Sequence, residues 1–253
     1  MIGRSGPVEG PTAPPPREAV QRWRLVLSRS AGDDALVQRA LLNAWETAFA
    51  ASGLPVAGLD SEPPKARFAL GAPLSAAIRG ERELLDVTLV ERLPRWRVRE
   101  ALEPVLPRGH AIVDLEDVWL GEPALPGQVV ASIYRAELLG DVDPHAVEVA
   151  IAAMVGAPAL PRERRKGEGM VTYDLRPFLE ALDRMLDGTL AMTLRHDPEK
   201  GLGRPDEVVA ELGDRLGPSA PAARIVRERL VLASERPRPS PTDAAAHSRR
   251  RRG

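Results

Sequence analysis

The apolar residues of this chain switch between a spacing of two and a spacing near 3.6, in an order that leaves few architectures open. From Gln21 to Ser28, Trp23, Leu25 and Leu27 alternate with Arg22 and Arg24, which predicts a half-buried strand. From Leu36 the pattern changes. Leu36, Val37, Ala40, Leu41, Ala44, Trp45, Ala48 and Phe49 recur in pairs four apart, one stripe on a helix of about 19 residues. Asp33 and Asp34 offer N-caps, and Gly53 with Pro55 stops it. A short strand at Lys65–Leu70 precedes a stronger one at Leu84–Glu91, where Leu85, Val87 and Leu89 face one way and Asp86 and Thr88 the other. Pro94 opens a second helix with Val98, Ala101, Leu102 and Val105 inward, and Ala111–Leu120 is the next strand. Strand, helix, strand, strand, helix, strand predicts a ferredoxin-like sandwich of four antiparallel strands with both helices on one face.

The second half repeats the plan without repeating the sequence. Val129–Leu139 is a strand, and Asp143-Pro144 sets an N-cap and a first helical residue. Val147, Ala150, Ile151 and Met154 form the stripe that follows. Leu160–Arg165 and Met170–Leu175 are arms of a hairpin turning at Gly167-Glu168-Gly169. Phe178–Leu186 reads as a short helix, Thr189–His196 as a strand, Arg204-Pro205-Asp206-Glu207 as a helix start, and Arg224–Leu232 as the last strand. The expected fold is α+β: two tandem ferredoxin-like (βαββαβ) units at 21–121 and 128–233, between disordered tails at 1–20 and 234–253. Gly121–Gly127 is the linker. The C-terminal tail carries Arg249–Arg252, read as a solubilising block, with binding of a phosphate backbone or an anionic partner as the alternative.

Composition narrows the chemistry. The chain has 253 residues, a formal net charge of -1 and no cysteine. Disulfides, thiolate catalysis, zinc–cysteine sites and iron–sulfur ligation by the chain itself are excluded. Aromatics are only 4%, so Leu, Val and Ala must build the core. No apolar run approaches ~20 residues and the N-terminus is not a signal peptide, so no membrane is expected and a cytoplasmic location is. His110, His145, His196 and His247 have no metal-ligand spacing and are read as surface histidines; no metal and no cofactor is expected. Gly201-Leu202-Gly203 reads as a turn rather than a dinucleotide loop. Asp114 and Glu116 share a strand face, read as solvated, with an acid–base pair as the sharper alternative.

Arg162, Arg164, Arg165 and Lys166 crowd one arm of the hairpin, and Asp174 and Arg176 follow on the other side. These six are the candidate site, for an anion or RNA: an arginine steadied by an acid can meet an anionic ligand. No catalytic residue is assigned, and DNA is not an expected partner. No strand carries the exposed aromatic rows or the signature of an RNA-recognition module, so any RNA contact would be electrostatic.

Pro64-Lys-Ala-Arg-Phe-Ala-Leu-Gly-Ala-Pro-Leu74, Glu83–Glu91, Leu106-Pro-Arg-Gly109, Arg164-Arg-Lys-Gly167, Asp174-Leu-Arg-Pro177 and Arg204-Pro-Asp-Glu207 together resemble the bacterial radical-SAM-associated family of unknown function. The resemblance spans about residues 21 to 233. It implies a non-catalytic accessory protein of a radical SAM enzyme with an RNA-related or anionic substrate. A stand-alone enzyme using Asp114, Glu116 or Asp174, or a degenerate interaction scaffold, are the alternatives. Two segments depart from the family: its Phe-Leu-Ser-His-Leu-Asp-like helix start reads Ala31-Gly-Asp-Asp-Ala-Leu-Val-Gln38, and its Gly-Phe-Asn-Pro-x-Pro segment reads Gly58-Leu-Asp-Ser-Glu-Pro-Pro-Lys65.

Overall fold

A computed structural model describes residues 17–32, 38–166, 169–217 and 222–236. The expected tails up to residue 16 and from 237, the Asp33 and Asp34 caps and the turn at Gly167-Glu168 lie outside the described residues. The chain is a mixed α+β protein built on one large mixed sheet.

In the first half, β1 (Gln21–Arg29) pairs antiparallel with both β3 (Arg79–Leu89) and β4 (His110–Val118), and the short β2 (Phe68–Leu70) pairs with β3. The order is therefore β4-β1-β3-β2. Helices α1 (Gln38–Ala51) and α2 (Arg95–Leu102) bury Trp45, Phe49, Val98 and Leu102 against Leu25 and Leu85. Each fully buried leucine or phenylalanine contributes about 1.5–3 kcal/mol relative to an exposed one, so this layer is what holds the half together. Between α1 and β2 the loop closes on Gly58, whose φ is +88°; a Cβ added there would lie 2.2 Å from the Lys65 carbonyl oxygen. Only glycine fits that approach.

The linker before the second half folds in part into a single helical turn, α3 (Leu125–Gln128), with Leu125 buried against Leu230. Then β5 (Val129–Leu139) pairs antiparallel with β9 (Leu190–Asp197) and with β11 (Ala222–Leu232), while β8 (Leu179–Arg184) pairs with β9. The order β11-β5-β9-β8 has the same form as the first half. Helices α4 (Pro144–Gly156) and α5 (Pro205–Leu216) bury Val147, Met154, Val208 and Leu212 over Met192 and Leu194. The Asp143 carboxylate accepts the His145 N–H at 3.0 Å, the N-cap that the sequence predicts. A two-residue strand, β10 (Gly201–Leu202), extends the edge at β9.

Two expectations need correction. The segment from Phe178 to Leu186 is not a helix: it holds β8. Leu179 and Leu182, three apart, are both buried because the β8–β9 register shifts between Leu179 and Ala181. That bulge breaks the alternation and imitates helical spacing. Nor do the hairpin arms join the main sheet. Strands β6 (Pro161–Lys166) and β7 (Gly169–Asp174) form a separate two-stranded sheet between α4 and β8.

The halves meet edge to edge. Strand β11 runs parallel to the start of β3, Val226 opposite Arg79 and Arg227 opposite Gly80, so the nine strands are continuous. Across this seam the Arg227 side chain, 0% exposed, donates to Glu83 through Nε at 2.8 Å and again through Nη2. It also donates to the carbonyls of Pro73 at 2.9 Å and Ala72 at 3.1 Å.

Candidate functional site

The hairpin residues divide into a root and a tip. At the root, the Arg162 guanidinium faces three carboxylates of α5: Glu207 at 3.5 Å, Glu211 at 3.1 Å and Asp214 at 2.5 Å. Asp174 accepts the backbone N–H of Leu160 at 2.7 Å and of Arg176 at 2.9 Å. Arg176 donates to the carbonyls of Val155 (2.9 Å), Ala157 (3.2 Å) and Leu179 (2.7 Å), closing the C-terminal end of α4 onto β8. Asp174 and Arg176 are thus joined through the backbone, not carboxylate to guanidinium, and Arg162 is committed to α5. Arg164, Arg165 and Lys166 lie further along β6, where the register sets Arg164 opposite Val171, Arg165 opposite Met170 and Lys166 opposite Gly169. Met170 is 62% exposed, and Val171 is exposed as well.

The carboxylates of β4 do not converge on a cavity. Asp114 is paired with Arg95, Asp117 accepts from Gln21 Nε2 at 2.8 Å, and Glu116 is exposed. Trp23, which the alternation places inward, is buried.

Sequence reasoning missed a set of buried polar groups. On the side of β1 and β3 away from Leu25 and Leu85, Arg24 and Asp86 form a bidentate pair at 2.7 and 2.9 Å, both nearly inaccessible. Arg29, at the end of β1, is also buried, and its Nη1 donates to the Leu74 carbonyl at 3.0 Å. Burial lowers its pKa; Glu83 opposes that and Arg227 adds to it, which places the three charges within one field. The stretch Ala72–Leu74 is therefore gripped by an arginine from each half.

Two histidines read as surface residues are half-buried. His110 Nδ1 lies 3.2 Å from the Arg108 carbonyl, its ring edge-on to Trp45 at 5.7 Å, and burial lowers its pKa. His196 Nε2 hydrogen-bonds Ser132 Oγ at 2.8 Å; burial, followed by Arg227, brings its pKa down to about 4. It is therefore neutral at pH 7. Ser132 is wholly buried, so the pair joins β5 to β9 rather than presenting a nucleophile. His145 lies in the first turn of α4, and His247 is outside the described residues.

Trp45 and His110 border a cavity of about 220 Å³ between α1 and the sheet. Leu27, Leu41 and Leu70 supply apolar wall; Arg29, Glu83 and His110 supply polar atoms. The Trp45 indole is 0% exposed and its Nε1–H has no hydrogen-bond partner among the described residues. Also among the described residues, no group of three or more His, Asp and Glu could hold a metal ion, and no helix is long and apolar enough to cross a membrane.

Among solved structures, the chain is similar to one in the crystal structure of a Cbf5-Nop10-Gar1 complex, at 10% identity and a TM-score of 0.45, over 82% of this chain and 48% of that one. It thus spans about half the length of that relative. It is also similar to an unknown protein from Galdieria sulphuraria, at 14% identity and a TM-score of 0.25, over 84% of this chain and 100% of that one. At such scores neither likeness assigns a role. No curated protein matches. Residues 36–205, more than half of the chain and reaching from the stripe of α1 to the first residue of α5, match the model of a family described as uncharacterized protein conserved in bacteria (DUF2344), and the protein belongs to that family.

Proposed function

We propose that this is a non-catalytic accessory protein of a radical SAM enzyme, and that it offers the β6–β7 hairpin to RNA or to another anionic substrate of that enzyme. The observation that carries the reading is the division of labour along β6. Arg162 is spent on Glu207, Glu211 and Asp214, which fixes the root of the hairpin to α5. The following Arg164, Arg165 and Lys166 sit on a two-stranded sheet apart from the main one, opposite the exposed Met170 and Val171. A braced arm with a basic end suits phosphate contact, which needs charge and position rather than base-edge geometry. We read each half as a ferredoxin-like unit, at 21–121 and 128–233, a reading supported by the matching orders β4-β1-β3-β2 and β11-β5-β9-β8. The enzyme partner rests on the family resemblance of the motifs between Pro64 and Glu207. With no cysteine in the chain, cluster chemistry belongs to that partner, and the site of action is the cytoplasm.

The test is to purify the tagged chain from its native cytoplasm and identify bound protein and nucleic acid together, for the parent and for Arg164→Ala/Arg165→Ala/Lys166→Ala. Recovery of a radical SAM protein supports the accessory role. With single-stranded RNA, loss of the three cations should reduce the slope of log affinity against log salt by about 2, at roughly 0.7 per phosphate contact. A variant that retains the parent's RNA, partner and salt slope removes the hairpin from the account.

A further inference from the structure

We propose that the cavity between α1 and the sheet is a binding site for a small molecule with a carboxylate head and a single-ring apolar body. Its position is independent of the hairpin. Three observations converge there. The walls are apolar, with Leu27, Leu41, Leu70 and the Trp45 ring around about 220 Å³, room for roughly seven waters at liquid volume. One six-membered ring bearing a carboxylate has that size.

The second observation is the Trp45 indole. A buried N–H without an acceptor is destabilising, and native proteins rarely leave one. This one belongs to a fully buried ring that borders the cavity. An oxygen acceptor placed in the cavity satisfies it. Water alone would be a poor tenant beside so much leucine, whereas a ligand with one polar end and one apolar end answers both parts of the lining.

The third observation is the sign of the polar end. Arg29, 4% exposed, lines the cavity and stays protonated at any physiological pH. Glu83 is already chelated by Arg227 through both carboxylate oxygens. Burial lowers the pKa of His110 and so favours the neutral ring, whose Nδ1–H donates to the Arg108 carbonyl. Arg29 and Trp45 supply the donors, with the His110 ring beside both. A carboxylate meets those donors.

Benzoate is the probe, with benzamide as its neutral counterpart and inorganic phosphate as an anion without a ring. The full-length protein is labelled with 5-fluorotryptophan in a Trp96→Phe/Trp119→Phe background, which removes the two exposed indoles and leaves Trp23 and Trp45. Benzoate should move the Trp45 fluorine signal saturably, with benzamide at least about tenfold weaker and phosphate without effect. Trp45→Phe, which keeps a ring and drops the N–H, should weaken benzoate about tenfold when followed by titration calorimetry. Leu41→Phe, which fills the cavity, gives an equal or larger loss and stands in should Trp45→Phe fail to fold. The proposal is overturned if millimolar benzoate leaves both buried indole signals in place, if benzamide or phosphate binds as well as benzoate, or if the cavity-filling variant binds like the parent. None of these outcomes bears on RNA or partner capture by the hairpin, so the two readings fail separately.

Discussion

Replacing Arg227 with methionine tests the seam between the halves. The native side chain is wholly buried and hydrogen-bonds both oxygens of Glu83 and the carbonyls of Ala72 and Pro73. Methionine keeps much of the volume and removes every donor. Glu83, only 13% exposed, is left as a buried carboxylate without its partner, a change that costs about 3–5 kcal/mol in comparable sites. Arg29, whose guanidinium also feels Glu83, tempers the loss, so about 3 kcal/mol is the expected destabilisation. At roughly 3 °C per kcal/mol for a chain of this size, Tm falls by about 9 °C. The assay is urea unfolding at pH 7 with a calorimetric scan beside it. Arg227→Met/Glu83→Gln removes the stranded charge and should recover at least half of the deficit, because much of the single-variant cost is the orphaned carboxylate and not the lost attraction. A single variant within about 1 kcal/mol of the parent, or a double variant less stable than the single, refutes this account of the seam.

Three further outcomes follow from the same geometry. His196 has a folded pKa of about 4 against about 6.5 in the unfolded chain, so the folded state binds fewer protons between those values. Its contribution is full above pH 6.5 and is lost as pH falls towards 4; after allowing for partial exposure it is about 2 kcal/mol, and urea midpoints of His196→Gln should vary less over that window than the parent's. Gly58→Ala meets both a φ of +88° and the Lys65 carbonyl, and should cost about 2–3 kcal/mol; a change under about 0.5 kcal/mol in equilibrium unfolding would show that the loop yields freely. Arg162→Ala should loosen the hairpin root by about 1–2 kcal/mol, read as faster amide exchange in β6 and β7 with β5 and β9 unchanged.

Period and caps made much of the fold legible. Val129–Leu139, rich in β-branched and apolar residues, is β5 over the same residues, and Asp143-Pro144 announces α4 because capping is written within a few positions of the chain. The bulge in β8 was not legible, since a displaced register turns a strand's alternation into the three-residue spacing of Leu179 and Leu182. The buried arginines were hidden for another reason. Arg24 and Arg227 look like solvent-facing positions in amphipathic strands, and their acids lie 62 and 144 residues away, beyond any local pattern. His110 and His196 were misread likewise: their surroundings come from strands and helices far off in sequence. For the hairpin, charge density identified the segment but not its division of roles, because the carboxylates that claim Arg162 arrive with α5.

Strand β11 has two neighbours, β5 and β3, and it follows every other strand of the sheet in chain order. During synthesis both of those neighbours leave the ribosome first and wait with bare edges, each a template for pairing with another chain. A nascent protein halted between Leu139 and Ala222 therefore has two adhesive flanks and a stranded Glu83. Emergence of β11 is the event that turns two half-assembled pieces into one body, which makes a truncation that removes it far more hazardous for this protein than one that trims an outlying strand such as β2.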